Sequence, residues 1–158
     1  MKMLIILILF FCSIKTYSQD ISKKIREIDS IVTSINASKL NVKRDTISRD
    51  MPSMGMLMKT YVTMVRDDLE LKKYSQNVRG TITEAGKTKE TISLNIFYFN
   101  HQSLIKVEEF FIADDIQASV HWYYSNDKPL YCTLQSEKTA ERAEFLLNLG
   151  RSFLKLTP

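Results

Sequence analysis

Apolar residues in the stretch ISKKIREIDSIVTSINASKL, residues 21–40, fall at Ile21, Ile25, Ile28, Val32 and Ile35. Steps of four and three put them on one narrow stripe of an amphipathic helix, because a turn takes 3.6 residues. Asp20 stands before the stripe as a candidate N-cap. Residues 41–55, NVKRDTISRDMPSMG, are polar, contain Pro52 and Gly55, and predict a loop. From 56 to 134 the period drops to two. β-prone runs near 58–66, 69–77, 79–84, 88–99, 104–112, 116–124 and 130–134 alternate with turn residues. The first run also fits a helix through Met54, Leu57, Met58, Tyr61, Val62 and Val65.

The connections are short: Asp67-Asp68, Glu84-Ala85-Gly86-Lys87, Asn100-His101-Gln102, Asp114-Asp115 and Ser125-Asn126-Asp127-Lys128. They leave no room for crossover helices, so neighbouring strands run antiparallel. The last element, 136–156, carries a broad apolar face of Ala140, Ala143, Leu147 and Leu154, widened by Phe145, Leu146, Leu149 and Phe153. Ser136 caps it in this reading, and Glu137 suits the positive end of its dipole. The predicted fold is α+β: an N-terminal helix, a meandering antiparallel sheet of about six or seven strands, and a C-terminal helix packed on one sheet face. Residues 19–55 and 56–158 form one domain.

Alternation sorts the strand residues into faces. Ile92, Leu94, Ile96 and Tyr98 share one face, and Thr91, Ser93, Asn95, Phe97 and Phe99 the other. Ile116, Ala118, Val120, Trp122 and Tyr124 oppose Gln117, Ser119, His121 and Tyr123; Leu130, Cys132 and Leu134 oppose Tyr131 and Thr133. The run LIKVEEFFI changes phase between Ile105 with Val107 and Phe110 with Ile112, which predicts a bulge at Glu108-Glu109. The expected result is one apolar face closed by the C-terminal helix. The other face is polar at one end and aromatic at the other, with Phe97, Phe99, Tyr123, Tyr131 and His121. Those five are the candidate binding residues, since aromatics with polar tips on an open sheet make a recognition surface. The competing arrangement has the N-terminal helix covering them.

Three segments repeat a plan. FYFNHQSLIKV (97–107) and WYYSNDKPLYC (122–132) run aromatic cluster, polar turn, second strand; TMVRDDLELKK (63–73) shares the plan without the aromatics. This hairpin unit resembles the aromatic–turn–leucine hairpins of MORN-like repeat proteins, without their regular glycines. The resemblance implies repeated hairpins and no particular activity.

Composition and charge then bear on location. Lys2 precedes the apolar run MLIILILFFC at 3–12, and Thr16 and Ser18 are small residues at −3 and −1 of a cleavage site before Gln19. That is the layout of a secretory signal peptide over 1–18, cleaved after Ser18. Its apolar run is too short to span a bilayer, which takes roughly 20 residues. Cys12 comes after Phe11 rather than a small residue, against lipid attachment. Loss of the leader removes Lys2 and Lys15 and no acid, so the net charge of +4 falls to +2. With that modest charge, nucleic acid is a poor partner. Cys132 is then the one cysteine left, so no internal disulfide forms. About 140 residues bury an adequate core without one.

Candidate chemistry is sparse. His101 falls in a turn and His121 on a strand. Cys132 is assigned to the packed face, where a thiol is inert. Two separated histidines and one buried cysteine fall short of a zinc site. Met51, Met54, Met56 and Met58 suit gap-filling core better than a soft metal site. The acid pairs Asp67-Asp68, Glu108-Glu109 and Asp114-Asp115 either point to opposite faces or lie in turns. Four glycines provide no phosphate-cradling loop. No metal or cofactor is expected. The sequence therefore points to an exported, non-catalytic binding protein of the bacterial periplasm or cell exterior, for instance an inhibitor or immunity protein, with a protein or envelope ligand. A small hydrolase using His121 with Glu108 or Glu109 and a structural envelope component are the alternatives.

Overall fold

The computed structural model of the chain describes residues 2–51, 56–84, 87–113 and 116–155. In chain order it holds α1 (Lys2–Ala37), β1 (Asn41–Met51), β2 (Met56–Asp67), β3 (Glu70–Glu84), β4 (Lys87–Asn100), β5 (Ser103–Ala113), β6 (Ile116–Ser125), β7 (Lys128–Cys132) and α2 (Thr139–Lys155). The strands form one seven-stranded sheet in sequence order, each antiparallel to the next. The α+β class, the meander and the packed C-terminal helix are as expected.

Several boundaries differ. Helix α1 runs over Lys2–Ala37, so Asp20 lies within it and not at its N-cap. The loop expected at 41–55 is a strand over Asn41–Met51, paired with β2 along its length. It has no apolar face, and Asn41–Thr46 are exposed. Edge pairing through the backbone holds it, which a hydrophobic pattern cannot reveal. Pro52 and Gly55 lie outside the described residues, as do the connections at Ala85-Gly86 and Asp114-Asp115. The runs 69–77 and 79–84 are one strand, β3, and the segment also compatible with a helix is strand β2. Helix α2 begins at Thr139, and Ser136 sits a turn upstream, its N–H donating to the Thr139 hydroxyl at 2.7 Å.

The three similar segments are one structural unit repeated. Each is a hairpin with a two-residue turn: Asp68-Leu69, His101-Gln102 and Asn126-Asp127. Both residues of the last two turns have positive φ, at 48° and 59° and at 52° and 56°. That is the type I′ geometry, whose twist matches that of the flanking strands. In each hairpin the returning strand then skips one residue in register, at Lys72, Ile105 and Leu130. These are β-bulges at the same offset from each turn. The third copy aligns as 64–74, one residue later than its sequence suggests. The phase change in β5 is therefore at Ile105, and Glu108 and Glu109 pair in regular register with His121 and Val120.

Bulges reset which aromatics share a face. Phe97 stands opposite Val107, Val107 opposite Trp122, and Trp122 opposite Cys132. Tyr98, Lys106, Tyr123 and Tyr131 align in the same way on the other side. Helix α2 closes on the first row: Phe97, Phe99, Leu104, Val107, Trp122, Tyr124 and Cys132 bury against Ala143, Leu146, Leu147 and Phe153. Gly150 allows the close approach, since a Cβ there would lie 3.0 Å from Leu104 Cδ2. Helix α1 lays Ile28, Val32 and Ile35 on Tyr98 and Tyr123. The stripe read from the sequence is thus the packed edge of α1. Among the described residues no helix is long and apolar enough to cross a membrane.

Candidate functional site

Burial of polar groups is concentrated beneath α1. Lys106, 6% exposed, is the buried charged residue of this face. The Ile105 bulge turns it toward α1, where its ammonium donates to Asp29 Oδ1 at 2.8 Å and pairs with Glu108 Oε1 at 2.9 Å. Burial alone would push this ammonium down, but its bonds to Asp29 and Glu108 outweigh that and hold it above the ordinary lysine value. Two tyrosines complete the net. The Tyr123 hydroxyl donates to Asp29 at 3.2 Å, and the Tyr98 hydroxyl donates to Glu108 Oε2 at 3.2 Å while accepting from Asn36. Burial raises both phenols. Lys73 donates to Asn36 at 2.8 Å and is lowered by burial, with Glu108 partly opposing. Every named group has a partner, so this network fastens α1 to β3–β6.

The five candidate residues do not form one face. Phe97 and Phe99 are fully buried under α2, with Phe97 edge-on to Phe153 at 5.1 Å between centroids. Tyr123 is buried under α1 on the opposite side of the sheet, and Tyr131 lies beside it, 43% exposed, its ring 6.1 Å away. His121 is on the α1 side, edge-on to Phe110 at 6.3 Å. Alternation along each strand was readable from the residues, but not how the strands align, and three bulges decide that.

His121 has a partner that strand-by-strand reading passes over. Ser119 Oγ lies 3.2 Å from its Nε2, and Glu108 Oε1 lies 3.6 Å from its Nδ1. The spacing Ser-Val-His was the available signal, because residues two apart on a strand share a face. Glu109 points the other way: it accepts from Trp122 Nε1 at 2.7 Å and pairs with Arg142 of α2. Cys132 is buried, without a disulfide, and burial raises its thiol. His101 is an exposed turn residue.

Open space lies beside α2. A groove of about 580 Å³ runs between β1–β2 and the C-terminal end of α2. Val62, Met64, Tyr74 and Phe153 give it an apolar floor, with the Tyr74 and Phe153 rings stacked at 3.9 Å. Asn41, Lys43, Asp45 and Arg66 line its polar side. A smaller cavity of about 330 Å³ lies between β6–β7 and the start of α2, against Trp122, Tyr124, Pro129 and Ala143. No three His, Cys, Asp or Glu side chains among the described residues are grouped to hold a metal ion. No family model, curated protein or solved structure matches the chain.

Proposed function

We propose that this chain is an exported, non-catalytic binding protein that receives its partner in the groove beside α2. The leader pattern of Lys2, the apolar run 3–12 and the small residues Thr16 and Ser18 supports export. The groove carries the binding reading: an apolar floor with a few convergent polar groups is the usual make-up of a recognition site. Lys43 and Arg66 outnumber Asp45 on its polar side, so the fitting partner is a protein segment that offers an apolar side chain flanked by acidic residues. The test is capture from envelope extract by the exported chain and by Lys43→Glu/Arg66→Glu, with Lys128→Glu as control. The reading predicts a partner held by the parent and the control and lost by the double variant, at unchanged thermal midpoint. Equal capture by all three contradicts it.

A second reading rests on the Ser119–His121–Glu108 arrangement, which has the order of contacts of a serine hydrolase. In it His121 takes the Ser119 proton while Glu108 orients the ring. It ranks second because Ser119 is exposed on open sheet, so water has free access, and Glu108 is already engaged by Lys106 and Tyr98. Hydrolysis of activated esters that disappears in Ser119→Ala with the fold intact would favour it. Equal turnover by the variant removes it.

A further inference from the structure

The two edges of the sheet are unlike. β7 is five residues long and contains Pro129, which has no N–H to offer. Just past its end the chain stays fastened to β6, with the Thr133 N–H donating to the His121 carbonyl at 3.0 Å. β1 spans eleven residues, NVKRDTISRDM, has no proline, and pairs with β2 on one side. The Thr46 N–H donates to the Asp45 carboxylate at 2.7 Å, the kind of acceptor a neighbouring strand would supply. A long edge of this sort is a template for another strand unless something blocks it.

Charges on an edge usually block pairing, but here their order does the reverse. The centre of β1 reads Arg44-Asp45-Thr46-Ile47-Ser48-Arg49-Asp50. Folded back on a second copy about Ile47, the antiparallel register sets Arg44 opposite Asp50, Asp45 opposite Arg49 and Thr46 opposite Ser48, each pair occurring twice by symmetry. Opposite charges facing each other across strands stabilise a pair. A slip of the register toward the start of the strand sets Lys43 opposite Arg49, and a slip toward its end sets Asp50 opposite Thr46, so either slip loses the opposite-charge pairs. Directly across from Arg44, Asp45, Arg49 and Asp50 on β2 stand Thr63, Val62, Met58 and Leu57, none of them charged.

We propose that β1 is a self-recognition edge, through which two copies of this chain join in an antiparallel two-fold pair centred on Ile47. A two-fold contact is self-complementary by construction, which is what this near-palindrome of charge provides. The axis stands normal to the sheet, so both α2 helices lie on one side and the two grooves flank the junction. Such a pair forms whether or not the groove has a partner.

Sedimentation velocity of the exported chain over a concentration series tests it with two variants. Arg44→Glu/Arg49→Glu makes the edge acidic, and Asp45→Lys/Asp50→Lys makes it basic. Both leave the register partners on β2 uncharged, and circular dichroism verifies that both fold. The parent is expected to dimerise. Each variant by itself should dissociate more readily by on the order of a hundredfold, because like charges then face each other. An equimolar mixture of the two should recover the dimer. A parent that stays monomeric into the submillimolar range overturns the proposal. So does a dimer that neither variant weakens, or a mixture that stays monomeric.

Discussion

Lys106 Nζ lies 2.8 Å from Asp29 Oδ1, joining β5 to α1 across 77 positions of sequence. The ammonium also holds Glu108, and its position over the Tyr123 ring, 5.0 Å from the centroid, places it among the groups that seat the helix. A buried cation between two carboxylates is expensive to desolvate and costly to remove once its partners are set.

Lys106→Met is therefore expected to destabilise the fold by about 3 kcal/mol, the low end for a broken buried pair because Asp29 is half-exposed and can rehydrate. Asp29→Asn should cost less, roughly 1 kcal/mol, since Glu108 still serves the ammonium. Urea denaturation of both variants measures this; equal losses would mean that Lys106 is not the anchor.

Phe97→Ala and Phe99→Ala should each lose about 3–5 kcal/mol, because both rings are fully enclosed under α2. Tyr131→Ala should stay within roughly 0.5 kcal/mol of the parent at an exposed site. Thermal and urea midpoints decide the matter. Small losses at Phe97 and Phe99 would return those rings to a surface role.

Stability should decline as the solution turns alkaline. Burial raises the phenols of Tyr98, Tyr123 and Tyr124, and Lys106 is raised through Asp29 and Glu108 despite its burial. A raised pKa in the folded chain means that it keeps protons which the unfolded chain releases. This stability is complete at neutral pH and is lost as pH climbs past the ordinary tyrosine and lysine values of 10.0 and 10.5. Lys73, lowered by burial, acts in the opposite sense. On the acid side Glu70 is lowered, first by its hydrogen bond from Lys72, so its contribution is lost as pH falls below about its ordinary 4.5. Unfolding free energies across pH 3–11 should form a plateau with both limbs falling; a rise above pH 10 would contradict the assignment.

Elements with an apolar period were legible in the sequence: Ile28, Val32 and Ile35 mark the buried edge of α1, and Ala143, Leu147 and Phe153 the core of α2. Phe145, counted with that face, is 51% exposed and instead lies against the Arg142 guanidinium. Strand β1 was invisible because edge pairing needs no apolar residue. The common face expected for Phe97, Phe99, His121, Tyr123 and Tyr131 fails for a different reason. Alternation says that Phe97 and Tyr98 face opposite ways but not which of them meets Trp122, and the bulges at Ile105 and Leu130 settle it through backbone register. The groove was illegible as well, since its floor joins Val62 and Met64 to Phe153, residues far apart along the chain.

The most direct test of the binding account is a hydrogen-exchange footprint of residues 19–158 with and without the captured partner. The account predicts slowed amides in residues 41–46 and 60–66 and around Tyr74, the walls of the groove. Slowing confined to 128–140, along β7 and the start of α2, would contradict it.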